Sequence, residues 1–434
     1  MDGQLKPETY LTSESGNKYK VISLLGAGGQ GEVYDVECDG RHYALKWYFK
    51  ETATEAQKKT LESIIAHGSP DPSFLWPQEL VVPEQGNVFG YIMELRPKNY
   101  KSIVDLMKRK AEPSFVSLCR TAYNLALGYK KLHDWGAVYH DISFGNLFFD
   151  PCNGDVLICD NDNVSFDKNK AGGVLGTPGF MAPEIVRREA RPSRNTDQYS
   201  LSVLLFYLFM VNHPLEGKLE AAIKCMDMAA REKLYGTDPV FIFDPNNKTN
   251  RPVKGIHDNA EIYWKIYPEK LRQMFTKAFT EGLVDPKKRI TELEWMTTFS
   301  NMMSGTIQCP NCGARIFYDE DLAAKGAAHV CWNCFDTVQM PPILKIGKNT
   351  VLLNKDAKVS SHHIYNDYDM DKVVGSMVQN PNNPNLWGIR NEDTVNWTYE
   401  KADGTQIPVA PGRTAGIAKG VKIHFTNGVG EFLF

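Results

Sequence analysis

Asp141 and Asn146, an acid and an amide five residues apart in the run Tyr139-His140-Asp141-Ile142-Ser143-Phe144-Gly145-Asn146, are followed by a second acid, Asp160, at the end of the apolar stretch Leu157-Ile158-Cys159. This grouping constrains the fold most, because its chemistry requires the three side chains to meet in space. Phosphoryl transfer uses such a set. One carboxylate orients an attacking hydroxyl and accepts its proton, while the other acid and the amide hold magnesium against the transferred phosphate.

The segment upstream supplies what such a centre needs for phosphate. Gly26-Ala27-Gly28-Gly29-Gln30-Gly31-Glu32-Val33 lies between two β-type runs, residues 18–25 and 31–38. Glycines there let the backbone fold over phosphates and offer N–H donors without an obstructing Cβ. Taken alone the pattern is weak, but a following strand argues against a dinucleotide fold, in which a helix should come next. Lys46 ends the run Ala44-Leu45-Lys46. Its stem can pack while its ammonium reaches phosphate oxygens; a solvated strand lysine is the plain alternative.

In order and spacing these segments resemble the eukaryotic-like (Hanks-type) serine/threonine protein kinases over about residues 19–300. Three further segments fit: Gly176-Thr177-Pro178-Gly179-Phe180-Met181-Ala182-Pro183-Glu184, Asp197-Gln198-Tyr199-Ser200-Leu201 and Asp285-Pro286-Lys287-Lys288-Arg289. The resemblance implies ATP and Mg2+ (or Mn2+) as cofactors and a protein with Ser or Thr as substrate. It implies Asp141 as catalytic base and Lys46 as the phosphate cation, with Asn146 and Asp160 as metal ligands. Gly26 to Gly31, Val33, Ala44 and the hinge residues Glu94 and Leu95 would hold the nucleotide. Asp197 would anchor the catalytic-loop backbone, and Arg289 would pair with Glu184. Glu62 is expected to pair with Lys46, with Glu55 the alternative.

The chain also departs from the family pattern. Tyr139 and His140 stand where His and Arg are usual, which puts switching by activation-loop phosphorylation in doubt. Ser143 replaces a lysine, and Asn161-Asp162 replaces Phe-Gly after the metal acid. A pseudokinase scaffold that binds nucleotide without turnover therefore stands as the alternative to an active enzyme.

Cys309, Cys312, Cys331 and Cys334 form two C-x-x-C pairs separated by eighteen residues. That spacing suits a closed four-thiolate site for structural Zn2+, and the βαβ context usual for redox pairs is missing. Beyond Pro341-Pro342, strand-like pieces at 350–354, 421–425 and 430–434 are separated by turn residues, and nothing in 344–434 reads as a helix. This tail resembles a forkhead-associated domain. The likeness implies a phosphothreonine ligand, with Lys348, Ser360, Ser361 and Asn396 as the phosphate-site residues. Lys348 in place of arginine loses bidentate recognition, and a sandwich used for packing is an equal alternative.

The expected fold class is thus α+β: a bilobal kinase fold, then a zinc ribbon and an all-β sandwich. The expected divisions are an extension (1–18), N-lobe (19–97), C-lobe (98–303), ribbon (304–340) and sandwich (341–434). Together these modules resemble the kinase of tellurite-resistance-associated phosphorylation systems, implying a bacterial source and partners of von Willebrand A type and PP2C-phosphatase type. With 49 Lys and Arg against 52 Asp and Glu, the chain carries no field favouring nucleic acid or an anionic membrane. Its longest apolar run, residues 201–211, is well short of the roughly 20 residues that span a bilayer. A cytoplasmic location is the expectation.

Overall fold

The computed structural model describes residues 3–83, 88–166 and 175–434. Its first layer is a six-stranded antiparallel sheet of β1 (Tyr10–Thr12), β2 (Lys18–Ala27), β3 (Gly31–Cys38), β4 (Arg41–Tyr48), β5 (Glu79–Val81) and β6 (Gly90–Glu94), in the order β1-β2-β3-β4-β6-β5. The residues expected to form an extension therefore supply an edge strand, with Tyr10 opposite Lys20. The β3–β4 hairpin turns at Asp39 and Gly40, both at positive φ, as a tight two-residue turn demands.

Side chains alternate across β4. Leu45 and Trp47 pack with Val21, Tyr34 and Val36 on one face, whereas Ala44 and Tyr48 pack with Leu61, Tyr91 and Met93 on the other. With a period of two, Lys46 falls on the second face, toward helix α1 (Glu55–His67). That helix starts at Thr54, whose hydroxyl accepts from Gln57 N, and stops at Gly68.

The second layer is helical. Its centre is α3 (Arg194–Met210), in which every residue from Thr196 to Met210 is buried. A helix buried on all sides needs neighbours all round, and here they include α2 (Phe115–Asp134), α4 (Glu269–Ala278) and α5 (Glu292–Ser304). Between α2 and α3, strands β7 (Leu147–Phe149) and β8 (Val156–Ile158) pair with Leu147 opposite Ile158. This hairpin holds the segments carrying Asn146 and Asp160 side by side, and Cys159 N donates to Asn146 O at 3.0 Å.

Two small hairpins follow, Thr306–Gln308 with Arg315–Phe317 and His329–Val330 with Thr337–Val338. Residues 343–433 then form two facing sheets, one of six strands and one of four, enclosing Leu344, Val374, Ile389, Trp397 and Ile423. One helical turn, Ser361–Tyr365, interrupts the strands where the sequence suggested none; five residues are too few for a 3.6-residue period to register.

This tail docks on the helical layer. Asn301 of α5 donates to Lys348 O at 2.9 Å and accepts from Thr350 N at 2.9 Å, and Ser304 bonds His363 at 2.8 Å. Arg120 of α2 meets Asp371. Among the described residues no helix is long and apolar enough to cross a membrane.

Candidate active site

Lys46 is 6 % exposed, and its Nζ donates to Gln30 Oε1 at 3.0 Å, to Asp162 Oδ2 at 2.8 Å and to Asp160. Burial disfavours the ammonium, but Asp162 and Asp160 outweigh that and raise its pKa above the ordinary lysine value. Asp160 sits at φ 60°, a left-handed position that short acidic side chains tolerate. Its carboxyl is pushed up to about 6 by burial and by Asp162, against the pull of Lys46.

The expected partner of Lys46 is not there. Glu62 is half exposed and meets Lys58 at 3.8 Å, and Glu55 faces solvent. Helical geometry explains this: Leu61 and Ile64 point inward from α1, and Gln57, four residues before Leu61, shares their side. Glu62 is turned about 100° away from Leu61. Gln57 accordingly reaches the site, its Nε2 donating to Asp162 O at 3.1 Å and Tyr48 Oη at 3.3 Å.

The carboxylate beside Lys46 that the sequence reading missed is Asp162, whose side chain is wholly buried. An acid where the family has glycine was the available signal. Asn161, in the place of the usual aromatic, is buried and donates to Leu75 O at 2.8 Å and Ile158 O at 3.0 Å. An aromatic anchor for α1 comes from further along: Phe166 stacks on His67 at 4.5 Å, with Trp135 edge-on at 4.9 Å.

Asp141 Oδ1 accepts from Thr177 Oγ1 at 2.6 Å, so the carboxylate is placed to accept a hydrogen bond from a hydroxyl. Asn146 Nδ2 donates to Asp141 O at 2.9 Å and Asp141 Oδ2 at 3.2 Å, an arrangement that leaves the amide oxygen for a cation. Behind the loop, Asp197 accepts from Tyr139 N at 2.7 Å and His140 N at 3.1 Å, holding His140 at φ 74°. Arg289 clamps Glu184 as expected, through two bonds of 2.7 Å.

The donor set fits a nucleotide with a divalent metal. A Cβ at Gly26, Gly28 or Gly29 would meet nothing within 4 Å, so the protein's own packing does not require glycine there, and the loop backbone stands open to approach from outside. Gly31 differs, since its Cβ would lie 2.2 Å from Trp47 O. Gly28 N donates to Gly31 O at 2.8 Å, closing a tip of Gly29 and Gln30 just beyond exposed Ala27, and Gln30 Nε2 reaches Asn163 at 3.4 Å. Val33, Ala44, Leu95, Leu157 and Cys159 form one apolar cluster suited to a flat ring. The Glu94 carboxylate turns away toward Arg41, at 2.7 Å, and Gln78, at 3.0 Å.

The thiols of Cys309, Cys312, Cys331 and Cys334 all lie within 4.8 Å of one another, with Cys309 3.6 Å from Cys334 and Cys312 3.6 Å from Cys331. Sulfurs about 2.3 Å from one tetrahedral ion are about 3.8 Å apart, so four thiolates here could hold zinc. The proposed phosphothreonine residues are not brought together on one open surface. Lys348 and Asn396 are exposed, but Ser360 and Ser361 are buried, with their hydroxyls engaged by His363 at 2.8 Å and by Asp367 respectively. With Ser360 capping the helical turn and Ser361 opening it, both hydroxyls are spent inside the fold and not presented to a phosphate.

Residues 19–300 match the family described as protein kinase domain. The chain belongs to that family. A probable serine/threonine-protein kinase of Zea mays is 30% identical over 206 residues, covering 46% of this chain and 32% of the relative. Serine/threonine-protein kinase polo of Drosophila melanogaster is 25% identical, over 49% of this chain and 37% of that protein. Dual specificity protein kinase shkB of Dictyostelium discoideum is 27% identical, over 58% and 38% respectively. The chain thus spans about a third of the length of these relatives.

Proposed function

We propose that this kinase-family chain is an ATP-dependent protein serine/threonine kinase. The observation that carries the reading is the hydrogen bond from the Thr177 hydroxyl to Asp141, beside an amide and a second acid held on one hairpin. In this reading Asp141 accepts the proton of a substrate hydroxyl, Lys46 and the glycine loop position phosphate oxygens, and Asn146 and Asp160 ligate the divalent metal, which neutralises developing charge on the transferred group. The kinship with serine/threonine kinases supports hydroxyl-bearing protein substrates.

The ribbon is proposed to hold one structural zinc, since four thiols complete a closed shell. The two-sheet tail is proposed to be a forkhead-associated-like docking module. Its burial of Ser360 and Ser361 favours protein docking over phosphothreonine capture. Partners of von Willebrand A and PP2C type, and a cytoplasmic bacterial setting, extend this reading through the order of the three modules. Purified protein incubated with magnesium and labelled ATP, followed by mapping of labelled residues, tests the activity. Labelled Ser or Thr supports it; nucleotide binding without transfer supports a scaffold instead.

A further inference from the structure

Kinase-family chemistry needs a carboxylate to hold the phosphate-binding lysine in place, and α1 does not provide one here. We propose that Asp162 is the positioning residue for Lys46, replacing the helix-borne glutamate, so that α1 acts on the site through Gln57 and not through an acid. The inference rests on the reading of Lys46 as the phosphate cation.

Three observations converge on it. The Asp162 carboxylate is wholly buried, which is costly unless it is paired, and Lys46 Nζ lies 2.8 Å from its Oδ2. Tyr48, two residues from Lys46 on the same face of β4, donates its hydroxyl to the same oxygen, so strand β4 fixes both partners. Gln57 then fastens the Asp162 backbone to α1 at 3.1 Å. Glu62, one position off the inward stripe, contributes nothing to this cluster and pairs with Lys58.

The consequence is mechanistic. A glutamate on a mobile helix can be withdrawn from its lysine by swinging the helix out. A carboxylate two residues beyond the metal acid Asp160 moves instead with the metal-binding segment. Lysine positioning and metal binding are then coupled, and neither needs an α1 carboxylate.

The test measures phosphate transfer and mant-ATP binding for the full chain carrying Asp162→Asn, Glu62→Gln or Asp160→Asn. Asp162→Asn is expected to lower kcat tenfold or more and to weaken mant-ATP binding several-fold, with the melting temperature recorded alongside, and Glu62→Gln to leave transfer and mant-ATP binding within twofold of the parent. A double-mutant cycle isolates positioning from structure: in a Lys46→Met background, Asp162→Asn should not weaken mant-ATP binding further. Should Asp162→Asn fail to fold, Tyr48→Phe, which removes one bond to Asp162, replaces it, with a several-fold loss expected in the parent and none in Lys46→Met. Full activity in Asp162→Asn, additive losses in the cycle, or a tenfold loss in Glu62→Gln overturns the proposal. If Asp160→Asn abolishes transfer while Asp162→Asn does not, this inference fails and the kinase reading stands. A parent protein that neither binds mant-ATP nor labels substrate removes both.

Discussion

His133 is held between two carboxylates, its Nδ1 2.7 Å from Glu292 and its Nε2 3.0 Å from Asp197, the residue that also fixes the backbone before Asp141. Burial opposes the imidazolium, but the two acids outweigh it and push its pKa up to about 9. Glu292 is likewise opposed by burial and drawn down to about 2 by His133 and by Arg194, which lies 2.8 Å away. The loop that carries Asp141 therefore rests on a buried, charged network.

This network makes stability depend on pH on both sides. His133 has a folded pKa of about 9 against 6.5 unfolded, so its contribution is complete below pH 6.5 and is lost as pH rises through 9. Glu292 has a folded value of about 2 against 4.5, so its contribution is present above pH 4.5 and is lost as pH falls through 2. The alkaline loss is on the order of 3 kcal/mol. Denaturant titrations from pH 6 to pH 9.5 check it, and His133→Gln should flatten the alkaline slope.

Arg289 and Glu184 give a second stability prediction. The Arg289 side chain is buried and both of its bonds to Glu184 measure 2.7 Å, so Arg289→Ala leaves a largely buried carboxylate unpaired. Breaking such a pair costs about 3–5 kcal/mol. Urea unfolding should register that loss, and Glu184→Gln in the same background should recover part of it.

Four thiols within 4.8 Å predict one zinc per chain. Elemental analysis of protein purified without added metal should give close to one equivalent, and Cys331→Ser, which removes a buried ligand, should lower it sharply. Less than about half an equivalent, together with a disulfide among these residues, would reverse the reading.

The buried hydroxyls of Ser360 and Ser361 predict that phosphothreonine peptides bind no better than their unphosphorylated forms. Calorimetric titration of the full chain with both forms checks this. Asn301→Ala, which removes both bonds from α5 to the turn at Lys348, should loosen the tail and increase proteolysis there.

The sequence carried the lobed order of the kinase-family segment because its parts are short local signals: glycines between strands, Lys46 ending an apolar run, Asp141 five residues before Asn146. Asp197 and Arg289 were legible for the same reason. The partner of Lys46 was not, because choosing among acids on α1 presumed that the acid lies on that helix, and a one-residue rotation error turns Glu62 outward. Asp162 could be noticed only as a departure; that its carboxylate is buried against Lys46 depends on contacts between residues more than a hundred positions apart. Likewise, the motif around Ser360 was readable, but whether its hydroxyls face solvent was decided by the His363 and Asp367 side chains folding back onto them.

The central claim is that Asp141 receives the proton of the attacking hydroxyl. Asp141→Asn keeps the size of the side chain and the hydrogen bond to Thr177 within reach, while removing the base. Steady-state transfer from labelled ATP to a protein substrate, with magnesium saturating, is the direct measurement. The account predicts a fall in kcat of at least a hundredfold, about the lower bound for a lost general base, with nucleotide affinity and melting temperature close to those of the parent. Transfer by Asp141→Asn at the parental rate would contradict it.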